Sequence, residues 1–276
     1  MMMNELFDLY EKEYVPRLQW RSQRDYRSII VILRRAFGHK HVTEMRPKDV
    51  AEFHDVPTGR VHRNRMVTIL STVFKKAMGR WCLDLNLTNP CTVIERWPTK
   101  PRKRYVTDDE FNRFRAMCRP QIQIAMDLAL LTGQRQGDII GMRWSQVKSE
   151  NLPRDKWHIE IDQGKTGKKL AIIISPAIEA VLDRAWTMKP HSPREYVIRT
   201  GYGLRHTEDG FRAMWQRVCR DWEKLGNPRF HFHDIRAKCI SDNPNFEAAY
   251  LLAGHIDPKM TRGVYDRNRR EVQPLR

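Results

Sequence analysis

Apolar side chains recur at helical spacing through the first third of this 276-residue chain. Leu6, Tyr10 and Tyr14 share one face of a first helix. Tyr26, Ile29, Ile30, Leu33 and Phe37 follow the i, i+3, i+4, i+7 rule on a second, which Gly38 is placed to end. Arg46-Pro47-Lys48-Asp49-Val50 opens a short third helix. Met66, Ile69, Leu70, Val73, Phe74 and Ala77 make the clearest stripe of this half and stop near Gly79. Residues 4 to 96 therefore read as all helix.

The segment Trp97-Pro98-Thr99-Lys100-Pro101-Arg102-Lys103-Arg104 breaks the pattern, because its two prolines stop helix while four basic residues crowd positions 100 to 104. Helix resumes with a capping box, Thr107 as N-cap and Glu110 at the third helical position, and runs to about Cys118. The next helix, about Gln121 to Leu131, is apolar nearly all round and so belongs inside. The period then switches to two. His158-Ile159-Glu160-Ile161 and the β-branched run Leu170 to Ile174 flank Gly164-Lys165-Thr166-Gly167-Lys168, which reads as a hairpin and its turn. Ser175-Pro176 supplies an N-cap and a first-turn proline for a helix with Ile178, Val181, Leu182, Ala185 and Trp186 on one face. Residues 187 to 210 read as loop with a short strand at Tyr196 to Arg199. Phe211, Met214, Trp215, Val218, Cys219, Trp222 and Leu225 form a last strong stripe before Gly226. Helical spacing accounts for these aromatics as core rather than as a base-stacking platform.

Charge changes the picture most. A net +17 implies a polyanionic partner, since cations gain affinity by displacing counterions condensed on nucleic acid. The charge is spread along the chain rather than confined to one amphipathic segment, which argues against a membrane-surface role. In the helical half Arg17, Arg21, Arg24, Arg27, Arg60, Arg63, Arg65, Lys75 and Lys76 lie between the apolar stripes, as either a solvated face or a DNA-contacting one. There is no run of about 18 apolar residues and no basic-then-apolar leader, so the cytoplasm is the expected compartment. Cys82, Cys91, Cys118, Cys219 and Cys239 show no Cys-x-x-Cys spacing and read as reduced core thiols. No phosphate-binding G-x-x-x-x-G-K-[ST] loop is present, which leaves no sign of ATP use.

The stretch Phe230 to Asn268 carries the densest chemistry: His233-x-x-Arg236, then Leu252-Ala253-Gly254-His255, then Tyr265. Arg135 lies between Gly133 and Gly137 at the end of the buried helix, and Lys165 sits at the hairpin tip. Together these residues offer one nucleophile and several donors for an anion, a combination suited to a phosphodiester. A phosphodiester resists attack because its anionic oxygens repel the nucleophile and gain charge in the transition state. Guanidinium forks match those oxygens and stay charged at any working pH. Oriented donors of this kind contribute roughly 2.7–4 kcal/mol each. Tyrosine, with a pKa near ~10, needs a neighbouring base and positive charge to become nucleophilic.

In order, Leu131-Thr132-Gly-Gln-Arg135-Gln-Gly-Asp-Ile139, Gly164-Lys165-Thr166-Gly167, His233-x-x-Arg236, Leu252-Ala-Gly-His255 and Tyr265 resemble the motifs of tyrosine recombinases of the phage integrase type. The resemblance implies a mainly α (α+β) chain: a helical core-binding domain over 1–97, a basic linker over 98–105, and a mixed catalytic domain over 106–276 with a small antiparallel sheet, the two domains clamping DNA as a C. It implies that Tyr265 attacks the scissile phosphate and holds the DNA 3′ end, while Arg135 and Arg236 clamp the non-bridging oxygens. Lys165 would protonate the leaving 5′ oxygen, His233 act as acid-base partner and His255 donate to the phosphate. No cofactor or metal is implied, because the covalent ester stores the bond energy. The implied partners are double-stranded attachment sites, a homotetramer on DNA, and host-bending and directionality factors.

The chain departs from the usual spacing in two places. One extra residue separates His255 from Tyr265, at a turn expected around Asp257-Pro258, and only eighteen residues separate Arg236 from His255, with Asn243-Pro244 compressing a loop. The placement of Tyr265 then follows from the helix register of Met260 to Val264, and the tail Asp266 to Arg276 is expected to link neighbouring protomers. Lys168 and Lys169 are rivals of Lys165. Many phage integrases carry an arm-binding domain ahead of the core-binding helices; the abrupt start here is that of a simpler recombinase or, as the favoured expectation, of a fragment of a longer one. Competing readings are a type IB topoisomerase, a non-catalytic DNA-binding derivative, and a metal-dependent rolling-circle nuclease built on His231-Phe232-His233. The nuclease reading leaves Arg135, Lys165, Arg236 and His255 unexplained.

Overall fold

A computed structural model describes residues 1–56, 59–81, 83, 86–100, 102–164, 166–188 and 194–254, the side chain of Phe246 excepted. The chain divides into two compact units, Met1–Lys100 and Pro101–Arg276. In the first, α1 (Met3–Glu13), α2 (Trp20–Phe37), α3 (Pro47–His54) and α4 (Arg60–Gly79) appear where the apolar stripes place them. Met3, Leu6, Phe7 and Tyr10 of α1 meet Ile29, Ile30, Leu33 and Phe37 of α2 and Leu70, Val73 and Phe74 of α4 in one buried cluster. The stripe is what makes these segments helical in context, since burial of one face outweighs the modest propensity of β-branched residues.

Most of the basic residues of this unit point outwards: Arg17, Arg21, Arg24, Arg27, Arg60, Arg65 and Lys75 are exposed, with Arg63 and Lys76 half-buried. Some are nonetheless engaged within the unit. Arg65 Nε pairs with Asp25 at 2.7 Å, Arg63 donates to the Phe53 carbonyl, and Lys76 lies over the Tyr14 ring. Trp97 ends the unit on a fixed anchor: its ring stacks on His54, and its backbone N–H donates to Asn64 Oδ1 at 3.0 Å.

The second unit begins with α5 (Asp108–Ala116), capped as expected by Thr107, whose Oγ1 accepts from the Glu110 N–H at 3.2 Å. Its centre is α6 (Pro120–Thr132), apolar on nearly every side. α6 packs on α5, on α7 (Gln136–Ile140), on α8 (Pro176–Thr187) and on α10 (Phe232–Asp242). Among the described residues the sheet has three antiparallel strands in the order β1 (Val147–Lys148), β2 (His158–Asp162) and β3 (Lys169–Ile173), with Glu160 opposite Ala171. α9 (Glu208–Lys224) and α11 (Phe246–Ala253) complete it. Tyr196 to Arg199 forms no strand of its own; Tyr196 makes one isolated bridge to Arg143 and Arg199 one to Arg205. Arg199 is buried instead as a cap on α8, its guanidinium donating to the carbonyls of Ala185 and Met188. No described helix is long and apolar enough to cross a membrane.

The aromatic stripe of α9 is core. Phe114 sits among Trp215, Trp222 and Phe230 at ring-centre distances of 4.7, 5.6 and 4.6 Å. The described cysteines are free, and burial pushes the thiols of Cys118 and Cys239 up to about 12 and about 11, which keeps them protonated and unreactive. Phe114→Ala should remove about 3–5 kcal/mol of stability, read as a lower urea midpoint with an unchanged denaturant slope.

Candidate active site

Two helices stop at the same place for the same reason. α6 ends on Gly133 (φ 63°) and α11 on Gly254 (φ 59°), both left-handed, a conformation glycine reaches without the penalty of a Cβ. A Cβ would be tight at the first and would clash at the second. A Cβ on Gly133 would stand 3.2 Å from Cys239 Sγ, and one on Gly254 would stand 2.6 Å from Gln163 Nε2. The helix ends are thereby brought against α10 and against the strand that leaves β2.

Arg236 fills the space between them. It lies on α10, is 1% exposed, and donates through Nη1 to the Gly133 carbonyl and through Nη2 to the Ala253 carbonyl. Gln134, equally buried, ties the same two turns together by donating to Leu252 O at 2.8 Å and to Thr132 O at 2.9 Å. Arg135 comes next, as the N-cap of α7. Its backbone is extended and its Nη1 donates to Gln163 Oε1 at 2.8 Å. Arg135 and Arg236 are thus held on one short turn, Gly133 to Arg135. His233 stands one helical turn before Arg236 on α10, on a neighbouring part of its surface, and is exposed.

The hairpin reaches the same spot. Its described residues dock through Asp138 Oδ1, which accepts from the Gly164 N–H at 3.1 Å, and through Gln163. Of the rival lysines, Lys168 lies over the Tyr250 ring at 5.6 Å and Lys169 begins β3 opposite Asp162. Lys165, and everything from His255 on, which includes the Asp257-Pro258 turn, the Met260 to Val264 segment, Tyr265 and the tail, lie outside the described residues.

α10 itself is fixed by charge at both ends. Asp234, 1% exposed, pairs with Arg102 Nε at 2.9 Å and accepts from the His231 N–H at 2.8 Å, so Asp234 caps the helix start. His231 and His233 stand two apart at this helix start, a spacing at which side chains do not face one another. Lys238 is 1% exposed and meets Asp108 and Asp242, both at 2.8 Å, and the Tyr105 hydroxyl at 3.2 Å. Burial alone would lower the Lys238 pKa, but the two carboxylates and the phenol outweigh it and hold the ammonium above its ordinary value of 10.5. Two of the four basic residues near position 100 are thereby accounted for within the second unit, Arg102 by Asp234 and Arg104 by Glu110.

Sequence reasoning passed over Gln134, Asp138, Gln163, Asp234 and Lys238. One signal was available for Gln163: it continues the inward register of Ile159 and Ile161, where a polar residue must find partners.

The second unit thus gathers two arginine side chains at one turn, an arrangement suited to holding an anion. Comparison with known proteins gives the family. The sequence model of the phage integrase family matches residues 104–271. The integrase of Escherichia phage HK022 is 31% identical over 263 residues, which span 90% of this chain and 70% of that protein. Two crystal structures share the fold: a lambda integrase dimer bound to a COC′ core site (TM-score 0.80, 21% identity, 100% of this chain and 80% of that one) and a lambda integrase tetramer bound to a Holliday junction (TM-score 0.81, 20% identity, 99% and 80%). The chain belongs to the phage integrase family and is a tyrosine recombinase. It spans about half the length of two further phage integrases that it matches, those of phages 434 and lambda, at 49% each.

Two outcomes follow from the geometry. Arg236→Lys leaves one of two buried carbonyls without its donor, because an ammonium does not span both, and should cost about 1–3 kcal/mol in urea unfolding. For Lys238, whose folded pKa is raised, the stabilisation is fully present below its unfolded pKa and is lost as pH rises through the folded one. The stability difference between wild type and Lys238→Met should therefore stay constant from about pH 7 to 10 and shrink above about pH 10.5, measured by urea unfolding across pH.

Proposed function

We propose that this chain cleaves and rejoins DNA at specific sites through a 3′-phosphotyrosyl intermediate, to integrate or excise a mobile element. The observation that carries this reading is the pair of guanidiniums, Arg135 and Arg236, gathered at one turn by the Gly133 carbonyl and Gln163. In the reaction Tyr265 Oη, its proton taken by His233, attacks the scissile phosphorus. The bond from phosphorus to the 5′ oxygen breaks, and that oxygen leaves with a proton from Lys165. Arg135, Arg236 and His255 bear on the non-bridging oxygens, where charge builds up. Attack by the 5′ hydroxyl of a partner strand reverses the step and joins new ends. Lys165, His255 and Tyr265 take these roles from their motifs.

On this reading residues 1–97 are the core-binding domain, 98–105 the linker and 106–276 the catalytic domain, and both domains contact the duplex. The exposed arginines of α2 and α4 are its phosphate contacts. Lambda integrase has been crystallised as a tetramer on a Holliday junction, which supports four protomers on DNA here as well. Such a protein works inside the host cell, on double-stranded attachment sites, with host-bending and directionality factors as further partners. A type IB topoisomerase is not favoured, because the proteins this chain resembles in sequence include phage integrases and a shufflon-specific DNA recombinase.

The test uses a duplex site that the protein selects from a randomised library, nicked beside the mapped point of cleavage so that the cut end diffuses away. With EDTA present, wild type should form a covalent adduct on a denaturing gel, and Tyr265→Phe none. Arg236→Ala should slow adduct formation by about 10²–10³-fold, the loss typical of one oriented donor. Tight, site-specific binding with no adduct from wild type would instead mark a binding protein.

A further inference from the structure

Three segments of the site close on Gln163, and the phosphotyrosyl chemistry assigns it no role. It is 1% exposed. A carboxamide has two acceptor positions and two donor positions, and here each is used. Oε1 accepts from Arg135 Nη1 at 2.8 Å and from Thr166 Oγ1 at 2.7 Å. Nε2 donates to Gln134 Oε1 at 2.8 Å and to Ala253 O at 3.2 Å. The four partners fix which way the amide faces, since turning it over would set nitrogen against the guanidinium and oxygen against two oxygens. Its backbone is pinned too: its N–H donates to Lys168 O and its carbonyl accepts from the Gly167 N–H, both at 2.8 Å. Gly254 lies so close that a Cβ there would meet the same amide.

Arg135 needs such a partner. It is half-buried at a helix start, and a free arginine side chain samples many rotamers that a single hydrogen bond must narrow. Aspartate or glutamate would orient it equally well, but would also neutralise it and compete with phosphate. A neutral acceptor orients the guanidinium and leaves its charge for the substrate. The same amide reaches Ala253 O, the carbonyl that Arg236 also grips, so both guanidiniums are referred to one backbone atom.

We propose that Gln163 is a positioning residue: it orients Arg135 for the scissile phosphate through a neutral hydrogen bond and ties it to the Ala253 carbonyl that holds Arg236. The proposal rests on Arg135 being a ligand of that phosphate.

The test compares the full chain on two versions of the selected nicked duplex. One has the natural scissile phosphate; the other has a methylphosphonate, in which a methyl group replaces one non-bridging oxygen and the negative charge is gone. Gln163→Met removes the hydrogen bonds at similar volume, and Gln163→Glu keeps the shape but pairs Arg135 with a carboxylate. On the natural phosphate both should form adduct on the order of 100-fold more slowly than wild type, the loss expected of a misplaced catalytic group. On the methylphosphonate most of that deficit relative to wild type should disappear, because little charge remains for Arg135 to meet. Each variant is compared with itself on two substrates, so a misfolded fraction lowers both rates and cancels. An equal deficit on both substrates, or none on the natural one, overturns the proposal. Arg135→Ala separates the two levels. If it is relieved by the methylphosphonate while the Gln163 variants are not, only the role of Gln163 fails; if it is not relieved, the phosphate role of Arg135 fails and the proposal with it.

Discussion

A permanent cation held out of water is the constraint to which the rest of the second unit answers. A guanidinium does not shed its proton, so burying Arg236 demands compensation from the surroundings. Two bonds of that compensation come from helix C-termini, at Gly133 and Ala253, where unpaired carbonyls carry partial negative charge. This explains why α6 and α11 both stop against α10 and why both stop in a left-handed glycine. Carbonyl dipoles orient the arginine without cancelling its charge, which remains available to an anion.

The same logic extends outward from Arg236. The side chains that knit the turns together, Gln134 and Gln163, are neutral amides. Nearby carboxylates are occupied with structural work: Asp138 receives the Gly164 N–H, and Asp234 is bound by Arg102 and by the start of α10. Lys238, on the far side of the same helix turn, is surrounded by the carboxylates Asp108 and Asp242 and so contributes to anchoring rather than to the site. Positive charge is thus neutralised at Lys238 and Arg102, where it anchors the fold, whereas Arg135 is held by the neutral amide of Gln163.

Charge in the first unit serves a different purpose. Several of its arginines and lysines, among them Arg21, Arg24, Arg27, Arg60 and Lys75, lie exposed on α2 and α4, in high dielectric, where each contributes little to stability. Their collective field is long-ranged and depends on salt, which suits finding and gripping a polyanion more than choosing among sequences. Phosphate contacts of this kind carry no sequence information, which is read through base edges and DNA shape.

The sequence alone determined most of the elements. Stripes such as Met66 to Ala77 and the largely apolar Ile122 to Leu130 fix helices, because burying a face is a local, periodic demand. The Thr107–Glu110 cap and the β2–β3 alternation were equally legible, and motif spacing alone is what singles out Arg135, His233 and Arg236. What only the tertiary structure decided is how those residues are held. The short α7 and the two-residue β1 carry too little periodicity to read, and Tyr196 to Arg199 looks like a strand yet finds only single bridges, because strand pairing depends on which neighbour arrives. Gln163, Gln134, Asp234 and Lys238 gain their meaning from partners 29 to 132 residues away, at Gln134, Leu252, Arg102 and Asp108. A buried polar group is explained by what satisfies it, and that is settled only when distant segments meet.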